Sequence, residues 1–195
     1  MRIILASSSP RRRQLMARAG IPCEILISDV DEDVDGPAHH QVERLALRKA
    51  RAARQKTSGA AVIIAADTLV SLDGWVLSKP ADKADAFAML NALQGRKHHV
   101  YTGVAIIKTG EKDEIHSFVE SAHVHFRPLT AHDIEGYIAT GEPFDKAGAY
   151  GAQGRGAVLI SRIEGDFFTV MGLPVSRLCV KLAEMGINIW NIPRL

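Results

Sequence analysis

Apolar runs that suit buried strands alternate along this chain with segments of helical periodicity. Ile3, Ile4 and Leu5 make a short continuous apolar run, which predicts a buried strand over residues 2–6. Pro10 suits the first turn of a helix and Ser9 its N-cap, so a helix is predicted from Pro10 to a stop at Gly20. Residues 21–34 read as an extended segment that ends in the acidic run Asp29, Asp31, Glu32, Asp33 and Asp35, before a break at Gly36-Pro37. Val42, Leu45, Ala46, Ala50 and Ala53 recur at helical spacing and predict a second helix near residues 41–55. A strand follows over residues 60–66 and is expected to stop at Asp67-Thr68; Ser71 to Gly74 reads as a turn, and Lys79-Pro80 ends another short strand. Further helices are expected at residues 82–93, from Thr130 to Gly141, and from Pro174 to Gly186. Strands are expected at 100–108, 115–126 and 157–163. This alternation predicts an α/β domain with a mixed sheet and flanking helices.

A chain of 195 residues can bury a real core and is expected to form one domain over 1–195. Its formal charge of +2 gives no reason to expect a broad nucleic-acid or membrane surface, and no apolar run reaches membrane length. Cys23 and Cys179 lie far apart with neither pairing nor metal spacing, so reduced thiols in a cytoplasmic protein are expected.

Four features could carry chemistry. Ser7-Ser8-Ser9-Pro10-Arg11-Arg12-Arg13 puts hydroxyls and guanidiniums at a helix N-terminus, where backbone N–H groups and the dipole favour phosphate; a capped surface helix is the plain alternative. Asp67 follows an apolar run and is placed at the carboxyl end of a buried strand, where ligands of α/β sheets bind. Glu32 could supply a second carboxylate, and two converging carboxylates beside phosphate suit Mg²⁺ or Mn²⁺, although alone the acidic run reads as a solvated loop. The glycine-rich stretch from Asp145 to Gly156 lacks the dinucleotide fingerprint; it suits close backbone approach to a ligand, with Gln153 able to donate and accept at a base edge. Lys49 and Lys79 are ordinary lysines taken singly, either able to neutralise phosphate charge. His123 and His125 share a strand face without a third ligand, so zinc is not expected; His98-His99 and His39-His40 read as surface or strand-end residues.

Taken together, Leu5-Ala6-Ser7-Ser8-Ser9-Pro10-Arg11-Arg12, Asp31-Glu32, Lys49, Ala66-Asp67-Thr68, Lys79-Pro80, Asp145 to Gly151 and Met171-Gly172-Leu173-Pro174 resemble the Maf family of nucleoside triphosphate pyrophosphatases. The likeness covers almost the whole chain, in order, up to about residue 187. It implies an inosine triphosphate pyrophosphatase-like fold with two lobes around a cleft, a homodimer, and hydrolysis of a nucleoside triphosphate to monophosphate and pyrophosphate. It also implies that Asp67 is the general base, that Glu32 and Asp67 hold a divalent metal, and that Ser7, Ser9, Arg12, Lys49 and Lys79 bind the triphosphate. Arg11, Thr68 and Gln153 match the branch acting on dTTP and UTP, including modified pyrimidine nucleotides, in a housecleaning role. Ser78 departs from the glycine or glutamate usual before Lys79. Two alternatives remain: the same reaction on another nucleotide such as 7-methyl-GTP, and a non-catalytic nucleotide-binding regulator of cell division.

Overall fold

The computed structural model describes residues 2–27 and 29–191. Its elements are β1 (Arg2–Leu5), α1 (Pro10–Arg18), β2 (Glu24–Ile25), α2 (Ala38–Gln55), β3 (Ala61–Leu72), β4 (Trp75–Leu77) and α3 (Lys83–Leu93). They continue with β5 (Lys97–Lys108), β6 (Glu114–Phe126), α4 (Ala131–Ala139), β7 (Ile160–Glu164), α5 (Phe167–Met171) and α6 (Val175–Glu184). Seven strands form one sheet in the order β2-β1-β3-β5-β6-β7, with β4 paired to β3. The sheet is mixed: β1 runs parallel to β2 and β3, whereas β3–β4 and β6–β7 are antiparallel. This is the α/β architecture expected from the sequence.

The chain divides into two compact units, residues 1–67, 102–120 and 172–195 forming the first and residues 68–101 and 121–171 the second. In the first, α2 lays Ala46, Ala50 and Ala53 against Ile4, Ala61, Ile63, Ala105 and Ile107 of three strands. Small alanines let the helix lie close to the sheet. Gly103 shows how close, since a Cβ there would stand 2.3 Å from the carbonyl oxygen of Val42. In the second unit, α3 and α4 supply Leu90, Leu93, Ile134 and Ile138 to a core that includes Val70, Val100, Phe126, Tyr137 and Tyr150.

Several boundaries differ from the expectations. β3 does not stop at Asp67-Thr68 but continues to Leu72, because Val70, Ser71 and Leu72 pair with Leu77, Val76 and Trp75. The turn is confined to Asp73-Gly74, both at positive φ (52° and 87°), which suits a two-residue hairpin. Asp67 therefore lies in the middle of a long strand rather than at its end. Among the described residues of 21–34, only Glu24–Ile25 form a strand; further on, Arg48 donates to the carbonyls of Asp31 and Asp33. The strand expected at 157–163 begins at Ile160, after a 3₁₀ turn over Gly154–Leu159. There the amides of Arg155 and Gly156 donate to the Glu142 carboxylate instead of to a strand partner. His98 stands near the start of β5, the strand end that was one of its expected places, but it is buried at 1% exposure with Nε2 2.7 Å from the Tyr150 hydroxyl.

Candidate active site

In the first unit the parallel pairing of β1 and β3 sets Leu5 beside Ile64, and the amide of Ala6 still donates to the Ile64 carbonyl. The residues just beyond, Ser7 to Ser9 after β1 and Asp67 further along β3, thus lie at the same end of the paired segment. Ser9 caps α1, its hydroxyl accepting from the Arg12 amide at 3.5 Å, with Pro10 in the first turn. Ser7 Oγ accepts from the Ser9 amide and from Arg12 Nη1, both at 3.2 Å, and Arg12 Nε donates to the Gly172 carbonyl at 2.8 Å. The guanidinium is thereby fixed at two points. Burial lowers its pKa, Asp67 and Glu32 raise it, and neighbouring Arg11 lowers it; the balance is downward.

The centre of the site is Lys49. Ala46 and Ala50 press α2 onto the sheet and leave Lys49 at the edge of the buried face. Its Nζ lies 2.6 Å from Asp67 Oδ1 and 2.6 Å from Glu32 Oε1. Lys49 and Asp67 are nearly enclosed, with side-chain exposures of 13% and 11%, while Glu32 is 56% exposed. Glu32 is held from α2 as well. Arg48 Nη1 donates to the carbonyls of Asp31 and Asp33, on either side of Glu32, and Arg44 Nη1 donates to that of Asp35. The sequence did not single out Arg48, because it acts through backbone carbonyls and sits in a helix already rich in arginine; its one signal is adjacency to Lys49.

Ser7, Ser9, Arg12, Glu32, Lys49 and Asp67 are therefore brought together, and Arg11 lies beside Arg12, partly exposed. Thr68, Lys79 and Gln153 belong to the second unit. There the exposed Lys79 follows Ser78, whose carbonyl accepts from the Gly148 amide at 3.0 Å and ties the residues after β4 to the glycine-rich segment. Gln153, partly exposed, precedes the 3₁₀ turn at Gly154. Around it, Tyr137 Oη accepts from the Gly151 amide at 3.1 Å and donates to Glu142 Oε1 at 3.0 Å. Burial pushes the Tyr137 hydroxyl up, so it remains a donor. Burial also raises the Glu142 carboxyl, but the amides of Arg155 and Gly156 outweigh this and hold it below its ordinary value.

His125 Nε2 lies 3.4 Å from a Glu164 oxygen, and His123 packs on the ring of His99. Among the described residues no cluster of three or more His, Cys, Asp or Glu side chains could hold a metal. Asp67 and Glu32 do converge, and two carboxylates are a fitting donor set for a hard cation that completes its shell with phosphate and water. Among the described residues no helix is long and apolar enough to cross a membrane.

The family profile described as Maf-like protein matches residues 2–185, and the chain belongs to this family. It is 49% identical over 192 residues to the dTTP/UTP pyrophosphatase of Symbiobacterium thermophilum, covering 97% of this chain and 96% of that protein. The dTTP/UTP pyrophosphatase of Bacillus anthracis is 44% identical over 190 residues, covering 96% of this chain and 97% of that protein. Among solved structures, the nucleoside-triphosphatase / dITP/XTP pyrophosphatase of Mycobacterium abscessus aligns at a TM-score of 0.45 and 16% identity, covering 95% of each chain.

Proposed function

We propose that this chain hydrolyses dTTP and UTP, and modified pyrimidine nucleotides, to the nucleoside monophosphate and pyrophosphate as a housecleaning enzyme. The observation that carries the reading is Lys49, held between Asp67 and Glu32 at 2.6 Å from each, with Arg12 close enough for both carboxylates to act on it. Full-length similarity to relatives named dTTP/UTP pyrophosphatase supports the substrate.

A triphosphate is a dense anion, and cleaving it builds further charge on the leaving phosphates, so fixed cations and hydrogen-bond donors must face it beforehand. Arg12 and the hydroxyls of Ser7 and Ser9 fill that role in this reading, with Lys49 and Lys79 as mobile cations. Asp67 accepts the proton of the attacking water. Glu32 and Asp67 would hold the divalent cation, Mg²⁺ or Mn²⁺, which when bound neutralises phosphate oxygens. Lys49 is at hydrogen-bond distance from both carboxylates. It is thus placed to stand in for that cation and to turn to phosphate when nucleotide arrives. Arg11, Thr68 and Gln153 select the base, Gln153 through an amide that offers a donor and an acceptor to uracil or thymine. We place the enzyme in the cytoplasm as a homodimer, an assembly that sedimentation would test.

The test is product analysis on a nucleotide panel with Mg²⁺, with Mn²⁺ and with chelator. Cation-dependent pyrophosphate release, fastest with dTTP and UTP, is expected. Fastest release from 7-methyl-GTP would keep the reaction and overturn the base assignment, whereas no release from any nucleotide would leave a binding protein.

A further inference from the structure

We propose that Glu142 and Tyr137 are positioning residues that clamp the glycine-rich segment carrying Gln153 and so set base selection. The inference rests on the reading of Gln153 given under Proposed function. The clamp lies wholly within the second unit and consists of four hydrogen bonds. Glu142 Oε2 accepts from the Arg155 amide at 2.9 Å, and Oε1 accepts from the Gly156 amide at 3.1 Å and from the Tyr137 hydroxyl at 3.0 Å. The Tyr137 oxygen in turn accepts from the Gly151 amide at 3.1 Å. Gly151, Arg155 and Gly156 bracket Gln153 on both sides, so the backbone that presents the amide is pinned before and after it.

The clamp has room only for glycine at two positions. A Cβ at Gly154, whose φ is +68°, would come within 2.8 Å of Glu142 Oε2. A Cβ at Gly156 would meet the Gly151 carbonyl oxygen at 2.2 Å and the Tyr137 hydroxyl at 2.7 Å. The carboxylate itself is anchored by helix and turn. Tyr137 belongs to α4, and the Glu142 amide donates to the Thr140 hydroxyl at 3.1 Å. Lys146 Nζ donates to the Glu142 carbonyl at 2.5 Å.

Pinning matters because the backbone sets where the Gln153 amide stands against the base edge. With that backbone held, the side chain reaches the base from one place and few of its rotamers pair well; on a loose backbone it can shift to meet cytosine as readily as uracil. A carboxylate that accepts three hydrogen bonds is a stronger anchor than a neutral side chain could be, since charge-assisted bonds are about twice as strong.

The test uses Glu142→Ala, Glu142→Gln and Tyr137→Phe in the full chain, with kinetics on UTP and CTP, inhibition by inorganic triphosphate, and amide exchange in the nucleotide-free protein. Glutamine keeps an acceptor at one position but sets an NH₂ against the amide of Arg155 or Gly156, so its effect should be intermediate. For Glu142→Ala the expected results are a rise in KM for UTP of roughly 10- to 100-fold and a UTP:CTP preference that shrinks towards unity. The kcat at saturation and the inhibition constant of inorganic triphosphate should stay within about threefold of wild type, because phosphate binding is not touched. The amides of Gly151, Arg155 and Gly156 should exchange at least about tenfold faster. If Glu142→Ala does not fold, Glu142→Gln and Tyr137→Phe carry the same comparison. Unchanged amide protection, an unchanged UTP:CTP preference, or a parallel collapse of kcat and triphosphate inhibition would each overturn the proposal. A Gln153→Ala variant with wild-type preference would instead overturn the reading of Gln153 and, with it, the selective role of the clamp. Amide exchange would still decide whether the clamp exists.

Discussion

Replacing Lys49 by methionine keeps its length and removes a cation that lies against both Asp67 and Glu32. Because each carboxylate oxygen lies 2.6 Å from the same nitrogen, the two oxygens are at most about 5 Å apart, and their repulsion then loses that nearest cation, although Arg12 still attracts both. At an effective dielectric of about 20 that repulsion is on the order of 3 kcal/mol before screening. The two ion pairs should not count equally. Lys49 and Asp67 are 13% and 11% exposed, close to the buried case in which losing one partner costs roughly 3–5 kcal/mol. Glu32 is 56% exposed, close to the surface case of about 0–1 kcal/mol. A double-mutant cycle of Lys49→Met with Asp67→Asn should therefore give a coupling of about 2–3 kcal/mol, and one with Glu32→Gln about 0.5 kcal/mol. Urea unfolding at neutral pH measures both. Raising salt to 0.5 M should erase the Glu32 coupling and leave most of the Asp67 coupling, since only the exposed pair is screened. Equal couplings, or an Asp67 coupling within about 0.5 kcal/mol of zero, would refute the ranking by burial.

Two further outcomes follow from buried features of each unit. His98 is neutral in the fold, because burial, with His125 and His99 nearby, pushes its imidazole from 6.5 down to about 3. The unfolded chain takes up that proton first as pH falls, so this contribution is fully present above about pH 6.5 and is lost on the way down to about pH 3, at about 1.4 kcal/mol per unit. Urea unfolding should show roughly 2–3 kcal/mol of loss between pH 6.5 and 4.5, and His98→Gln should flatten that slope. Gly103→Ala would set a methyl group 2.3 Å from the Val42 carbonyl oxygen and 2.7 Å from the Glu43 amide, forcing α2 off the sheet. A loss of about 3 kcal/mol, read as a fall in Tm of roughly 6–12 °C by scanning calorimetry, is expected.

Much of the fold was legible because β1, α2 and β3 carry long apolar runs or clear helical spacing, and because Ser9 and Thr130 are caps in the sequence and in the structure. What escaped was set by partners distant in sequence. β3 runs past Asp67 because β4 returns to pair with it, a tertiary cause that the polar Asp67-Thr68 pair conceals. The 3₁₀ turn over Gly154–Leu159 takes in Ala157 to Leu159, which read as the start of a strand, because Glu142 holds the amides of Arg155 and Gly156 just before them. His98 is the strand-end residue it looked like, but its burial was hidden because its partner, Tyr150, is 52 residues away. In the site itself, Ser9 and Arg12 could be placed from the cap and the helix start. Spacing alone could not say which acidic residue of the 29–35 run faces Lys49; Arg48 settles it by holding the carbonyls on both sides of Glu32. Glu142 and Tyr137 gave no signal of their own, since their work is done on backbone amides.

The most direct test of the central claim is Asp67→Asn, measured for pyrophosphate release from dTTP and, by calorimetry, for dTTP binding in the presence of Mg²⁺. Turnover should fall by about 10²- to 10⁴-fold with Kd within a few-fold of wild type, because the substitution removes a proton acceptor, keeps one oxygen towards the cation beside Glu32, and leaves Ser7, Ser9, Arg12 and Lys49 to bind phosphate. Near-normal turnover would contradict that claim, and so would equal losses of turnover and binding.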